Sequence, residues 1–278
     1  MSNNIINIAL CQMNISTDKH INLQKAESII RKASLEYNSD IIVLPEMFNC
    51  PYDYNYFSRF SETSQGETVS MLSGIAKELN IYIIGGSIPE KDGERIYNTS
   101  FIFGKAGKII ARHRKIHLFD IKIKDSISFK ESRYITPGED ITVFNTDICT
   151  IGIAICYDMR FPELIRKMTL MGAKLIIIPA AFNTITGPAH WHITARARAL
   201  DNQVFFACAS PARDSGSAYA VYGHSLVVDP WGSIIVEAGK DETLLNAELD
   251  LTKIKKIREE LPLLKHRMPD IYKLDQKP

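Results

Sequence analysis

The chain has 278 residues, enough to bury a sizeable core as one large domain or two small ones. Hydrophobic residues make up 45% and charged residues 23%, and 33 Lys plus Arg nearly cancel 32 Asp plus Glu. A net charge of +1 on that balance gives no reason to expect a nucleic-acid or membrane-surface partner.

The apolar pattern alternates between the two regular periods. Ile5–Met13 reads as a strand. Leu23, Ala26, Ile30, Ala33 and Tyr37 then fall at three- and four-residue steps, which predicts one buried face of a helix. Asp40–Leu44 is a short apolar run closed by Pro45, as in a buried strand. Val69, Leu72, Ile75, Ala76 and Leu79 mark a second helix, and Ile81–Ile84 a strand running into Gly85-Gly86. Ile96–Phe103, a turn at Gly104–Gly107 and Lys108–Ala111 predict a hairpin. Lys122–Gly138 is polar and irregular and reads as a long loop. Ile141–Phe144 and Cys149–Ile155 are strands. Pro162 suits the first turn of a helix that ends near Gly172. Lys174–Pro179 is a strand, Trp191–Leu200 a helix and Val204–Ala209 a strand. Ser225–Asp229 and Ile234–Glu237 flank a turn at Pro230-Trp231-Gly232, and Leu251–Leu261 is a short charged helix.

Strands alternating with helices predict an α/β fold, with a mixed sheet and helices outside as the simplest arrangement. No linker-like, repeated or low-complexity tract divides the chain. A single domain over residues 1–278 is expected, with its core at about 5–272 and a polar C-terminal tail. The opening MSNNIINIALCQMN has no basic start and no long apolar run, so a signal peptide is not expected. Apolar stretches such as Leu175–Ala181 are too short to cross a bilayer. The five cysteines (Cys11, Cys50, Cys149, Cys156 and Cys208) are odd in number, and no CxxC occurs. Neither a disulfide framework nor a cysteine metal site is expected, and a reducing cytoplasm is the default compartment.

Cys156 ends a predicted strand, with a helix a few residues on. Ligands of open α/β sheets gather at the carboxyl ends of strands, and a helix N-terminus favours a thiolate. The alternative is a buried thiol that only packs. Glu46 also emerges after a buried strand, where desolvation would raise its pKa toward that of a useful base; otherwise it caps a helix or pairs with an Arg. Lys115, in ARHRKIHLFDI, is either one charge of a solvated strand or a fixed cation for a developing oxyanion. His113 and His117 flank Lys115, and His190 and His192 flank Trp191, without the HExxH pattern of a helical zinc site; no metal is expected. Gly223-His224-Ser225 begins like a serine nucleophile elbow but lacks the second Gly.

Three segments in order, LPEMF (Leu44–Phe48), RKIHLFD (Arg114–Asp120) and ICYDMRFPE (Ile155–Glu163), resemble the Glu–Lys–Cys motifs of the nitrilase superfamily of carbon–nitrogen hydrolases. The likeness spans about Ile6 to Tyr272. GGSIPE, YNTS, FNTITGPAHW, ALDNQVFFACASPARD and DPWG are further similar to the Nit-type omega-amidases, which release ammonia from 2-oxoglutaramate and 2-oxosuccinamate. His192 departs from that pattern, which has an acidic residue after GPAHW.

The resemblance implies a four-layer αββα sandwich and a homodimer or higher homo-oligomer. It implies a small-molecule amide substrate, and neither cofactor nor metal. In this reading Cys156 is the nucleophile that forms a thioester and Glu46 is general base and acid. Lys115 and the Tyr157 N–H hold the oxyanion, and Glu131, in FKES, is the orienting carboxylate. Arg160 either binds the substrate's far carboxylate or pairs with Glu163 or Asp158. Phe182 and Asn183 would line the pocket. The alternatives are another amidase of the superfamily, acting on deaminated glutathione or an N-carbamoyl amine, or a binding protein on the same fold.

Overall fold

A computed structural model describes residues 4–124, 127–214, 216 and 219–272. The tail beyond 272 and residues 125–126 of the expected loop lie outside them. The chain begins β1 (Ile5–Gln12), α1 (Lys19–Tyr37), β2 (Ile41–Val43), α2 (Tyr54–Phe60), α3 (Glu67–Leu79), β3 (Tyr82–Ile84). It continues β4 (Ile88–Asp92), β5 (Arg95–Phe103), β6 (Ile109–Arg114), β7 (Asp120–Ile123), β8 (Ile127–Lys130), β9 (Thr142–Asn145), β10 (Thr150–Ile153). The second half is α4 (Pro162–Leu170), β11 (Leu175–Pro179), α5 (Gly187–Asn202), β12 (Phe205–Ala209), β13 (Leu226–Val228), β14 (Ile234–Glu237), β15 (Thr243–Asp250), α6 (Thr252–Glu260). Single 3-10 turns lie at Glu131–Arg133 and Cys156–Arg160.

The strands form two large sheets, not the one mixed sheet that is simplest from the pattern. One has seven strands, in the order β15-β1-β2-β3-β5-β4 with β6 on the far side of β5; the other has six, β14-β13-β12-β11-β10-β9. Each has three parallel strands at its centre, β1-β2-β3 and β10-β11-β12. Such strands are buried on both faces, which is why DIIVL and LIIIP read as continuous apolar runs.

Strand alternation assigns the layers. Ile8, Leu10, Ile41 and Val43 of the first sheet meet Ile151, Ile153, Leu175, Ile177 and Phe205 of the second in a shared central core. The alternate residues face outward: Ala9, Ile42 and Ile83 bury against Leu23, Ala26 and Ile30 of α1 and Leu72, Ile75 and Ala76 of α3. Ile176, Ile178 and Phe206 bury against Leu164 and Ile165 of α4 and Trp191, Ala195 and Ala199 of α5. The result is the four-layer αββα sandwich.

Three expectations need correction. Lys122–Gly138 is not all loop: β7 and β8 pair as a small antiparallel hairpin, with Asp120 opposite Lys130. Tyr37 is exposed rather than part of the buried face of α1, because that helix ends there and Asn38 caps it in the left-handed conformation. The strand before Cys156 stops at Ile153, so Cys156 opens a 3-10 turn instead of ending the strand. The strands β4 and β15 and the helix α2 have no counterpart in the sequence reading.

Candidate active site

Glu46 follows β2, at the carboxyl end of the parallel strands of the first sheet. Its segment is stitched to the residues after β3: Ser87 N–H donates to the Pro45 carbonyl (3.2 Å), Met47 N–H to Ser87 Oγ (3.0 Å) and Phe48 N–H to the Ser87 carbonyl (3.2 Å). Gly86 makes this possible. It sits at φ +52°, and a Cβ there would fall 2.1 Å from the Pro45 carbonyl oxygen.

Lys115 follows β6 and is wholly buried. Its Nζ donates to Glu46 Oε1 (2.9 Å), Glu131 Oε2 (2.9 Å) and the Tyr52 hydroxyl (3.1 Å). Its own backbone is pinned on both sides, by Lys115 N–H to the Asn98 carbonyl and Gly138 N–H to the Lys115 carbonyl, each 2.8 Å. Glu131, also fully buried, accepts the Phe119 N–H at 2.7 Å as well. Asn98 of β5 completes the group, its amide donating to Glu46 Oε1 (2.8 Å) and more weakly to Glu131 Oε1 (3.3 Å). Two carboxylates and one ammonium leave an excess of one negative charge.

That arrangement sets the electrostatics. Burial pushes the Glu46 carboxyl above the ordinary carboxylate range; Lys115 opposes this and the Glu131 charge adds to it. Burial alone would lower Lys115, but the Glu131 and Glu46 carboxylates outweigh it and hold the ammonium well above its usual range. One oxygen of Glu46 is fully engaged. The other, Oε2, is buried and accepts no N–H or O–H within the described residues, which leaves it to the Cys156 thiol. A raised carboxylate with one open oxygen is a base awaiting a proton.

Cys156 lies against that carboxylate, each group shifting the other. Its backbone is left-handed, φ +48°, a region where a side chain is strained. The expectation of a thiolate stabilised by a helix N-terminus does not hold in the resting site. Burial, then Glu46, pushes the Cys156 thiol well above its normal range, against the smaller pull of Lys115 and the Ala181 backbone. α4 begins only at Pro162, too far on to serve the thiol.

The turn carrying Cys156 is anchored by Asp158, which the sequence reading considered only as an ion-pair partner for Arg160. Asp158 Oδ2 accepts the Ile155 N–H (3.0 Å) and faces His113 Nε2 (3.3 Å), while Oδ1 accepts the His117 N–H (2.8 Å) and faces His117 Nδ1 (2.7 Å). Both histidines flanking Lys115 thus hold the nucleophile turn. The remaining cations of that stretch, Arg112 and Arg114, pair with Glu90, so the run of basic residues is internally neutralised.

Cys156 opens into a narrow cavity lined by Phe119, Tyr157, Arg160, Ala181, Phe182, Thr186 and Tyr219. Arg160 is there, and its alternative ion pairs are not: the guanidinium meets no carboxylate among the described residues. It stacks over Phe182 (4.5 Å) and touches His190 Nδ1 at 2.9 Å. The Tyr157 N–H makes no hydrogen bond within the described residues. Asn183, the residue after Phe182, uses its Oδ1 to accept the Ile185 and Thr186 N–H groups and so shapes the turn into α5. His192 also lies outside the cavity, beside Glu237.

The profile of the family described as Carbon-nitrogen hydrolase matches residues 7–259. This chain belongs to the carbon–nitrogen hydrolase family. It is 47% identical to the Mus musculus protein named Omega-amidase NIT2, across 97% of this chain and 98% of that one. Among solved structures, Saccharomyces cerevisiae Nit3, described as a member of branch 10 of the nitrilase superfamily, is 44% identical and superposes with a TM-score of 0.88 over 95% of this chain and 96% of that one. The C. elegans NitFhit protein is 32% identical, with a TM-score of 0.89 over 99% of this chain and 68% of that one. This carbon–nitrogen hydrolase is therefore an amidase-type enzyme on the nitrilase-superfamily fold. Asn98 and Tyr52 are the site groups that sequence reasoning missed. For Asn98 a signal existed: Asn98-Thr99-Ser100 is a polar run inside an otherwise apolar strand.

Proposed function

We propose that this hydrolase is an omega-amidase, converting a 2-oxo dicarboxylic acid monoamide and water to the 2-oxo diacid and ammonia through a thioester on Cys156. The observation that carries the reading is the pairing of a strained, buried thiol with a carboxylate that has one bound and one open oxygen. Glu46 Oε2 takes the thiol proton as the sulfur attacks the amide carbon. The negative charge moves from carboxylate to substrate oxygen, where Lys115 and the Tyr157 N–H receive it. Lys115 has three N–H bonds, already directed at Glu46, Glu131 and Tyr52, so the oxyanion takes the place of the neutral Tyr52 hydroxyl. Glu46 then protonates the leaving nitrogen. In the second half it draws a proton from water, which attacks the thioester and restores the thiol. Glu131 acts as the orienting carboxylate, fixing Lys115 and keeping Glu46 basic.

Arg160 favours the dicarboxylic substrate. It is held in the Cys156 cavity on the face of Phe182, with no carboxylate partner among the described residues, and a substrate carboxylate supplies the missing anion. Five free cysteines, all buried, fit a reducing cytoplasm, and no helix of the described residues is long and apolar enough to cross a membrane. Ile193, Leu200 and Trp231 leave apolar surface exposed on and beside α5, which fits burial in a homodimer. The test is ammonia release from 2-oxoglutaramate against glutamine, carbamoylputrescine and a simple nitrile, before and after alkylation of the thiol. Preference for a neutral amide or the nitrile would overturn the assignment.

A further inference from the structure

His192 of α5, His224 just before β13 and Glu237 at the end of β14 converge on one point, although they are far apart in sequence. His192 Nε2 lies 2.7 Å and His224 Nδ1 3.1 Å from the same oxygen, Glu237 Oε1, and the three ligand atoms all fall within 4.8 Å of one another. None of the three lines the Cys156 cavity. The three side chains come from separate segments, so no short spacing such as HExxH marks them in the sequence.

Two imidazole nitrogens converge on one carboxylate oxygen, each bond needing the single imidazole proton on the nitrogen that faces it. A cation at the same point would instead take the lone pairs of both nitrogens and the charge of the oxygen. Glu237 forms no ion pair with any Lys or Arg among the described residues, so its charge is available. The imidazoles are oriented in advance. The His224 ring stacks on Tyr222 (4.3 Å, 23°), and the backbone that carries it is pinned: its main-chain N–H donates to the Gly239 carbonyl (2.9 Å) and its main-chain carbonyl accepts the Trp191 indole N–H (2.6 Å). His192 follows Trp191 on the same helix and sits edge-on to Tyr222. Supported ligands of this kind are what a metal site needs. All three side chains are about one quarter to one third exposed, so an ion can enter and keep water.

We propose that His192, His224 and Glu237 bind one Zn²⁺ ion, with water completing its coordination. Two imidazoles and a carboxylate suit zinc rather than calcium or magnesium, which prefer oxygen alone. Zinc–ligand lengths of about 2.1 Å at tetrahedral angles need ligand atoms about 3.4 Å apart. The His224 contact is close to that, and the His192 contact must open by roughly 0.7 Å. The bound ion would clip α5 to the β13–β14 hairpin.

The experiment uses tag-free full-length protein carrying Cys156→Ala, which removes the thiol of the active-site cavity. Zn²⁺ affinity is measured by competition with a chromophoric chelator. One ion per chain is expected, with His192→Ala and His224→Ala each weakening binding by at least about tenfold. Co²⁺ should give visible d–d bands that vanish in the double variant. If His224→Ala fails to fold, His192→Ala, at a partly exposed helix position, decides alone, and zinc should raise the melting temperature of the parent but not of that variant. Absence of saturable binding, or binding unchanged in His192→Ala, overturns the proposal.

Discussion

Glu46 and Glu131 each place an oxygen on the same ammonium, that of Lys115, and on the same amide, that of Asn98. Glu131 therefore acts on Glu46 at one remove, by holding the cation and by adding its own charge to the field. Because that charge raises Glu46, Glu131→Gln should let the Glu46 pKa fall. Glu46 works deprotonated, so activity is present above its pKa and lost below it. The acid limb of the kcat/KM profile should lie above the ordinary carboxylate range in the parent and move to lower pH in Glu131→Gln, with a smaller kcat. An unmoved limb would show that the two carboxylates are not in communication.

Cys156→Ala should lower ammonia release from every amide by at least about 10⁴-fold while leaving the melting curve intact, since the thiol is one member of a concerted group. Turnover within tenfold of the parent would remove Cys156 from the reaction.

Glu46→Gln should fail in both halves of the cycle. Rapid-quench measurement with a labelled amide should find neither a burst of ammonia nor accumulated thioester. A normal burst followed by a stalled thioester would confine Glu46 to the second step.

Arg160→Ala should raise KM for an acidic amide by more than about tenfold and leave that for a neutral amide of similar length within about twofold, since a buried guanidinium–carboxylate contact is a strong, directional one. Equal effects on the two substrates would assign Arg160 to shaping the cavity alone.

Asp158→Asn tests the anchor of the nucleophile turn. Burial would raise the Asp158 carboxyl, but the hydrogen bonds from His113 and His117 outweigh it and hold the group far below its usual range. A depressed carboxyl contributes stability above its unfolded pKa, near 3.9, that is lost as pH falls through the folded value. The variant should lose about 3 kcal/mol at pH 7 by urea denaturation, and its stability should depend less on acid below about pH 4. Unchanged stability would mean that the Ile155 and His117 N–H groups find other partners.

The sandwich was legible where strands were buried on both faces. DIIVL and LIIIP read as buried strands, the helices α1 and α3 announce themselves by one-sided apolar positions, and α4 by Pro162 at its first turn. Glu46 and Cys156 were legible for the same reason, as polar groups emerging just past such strands. Pairing and curvature were not. Glu131 falls in a polar stretch with no periodicity, and only the β7–β8 hairpin folds it back onto Phe119 and Lys115. Asp158 looked like a neighbour for Arg160 because they are two residues apart; its histidine partners lie some forty residues away in sequence. Likewise nothing in sequence joins His192 to Glu237.

The left-handed backbone at Cys156 separates the fate of the molecule from the fate of its chemistry. A side chain there is tolerated by the fold rather than required by it, and Gly or Asn would sit in that conformation with less strain. A chain altered at this one position would still be made, would still fold and would persist at normal abundance while hydrolysing nothing. Assays of expression or solubility would pass it as sound.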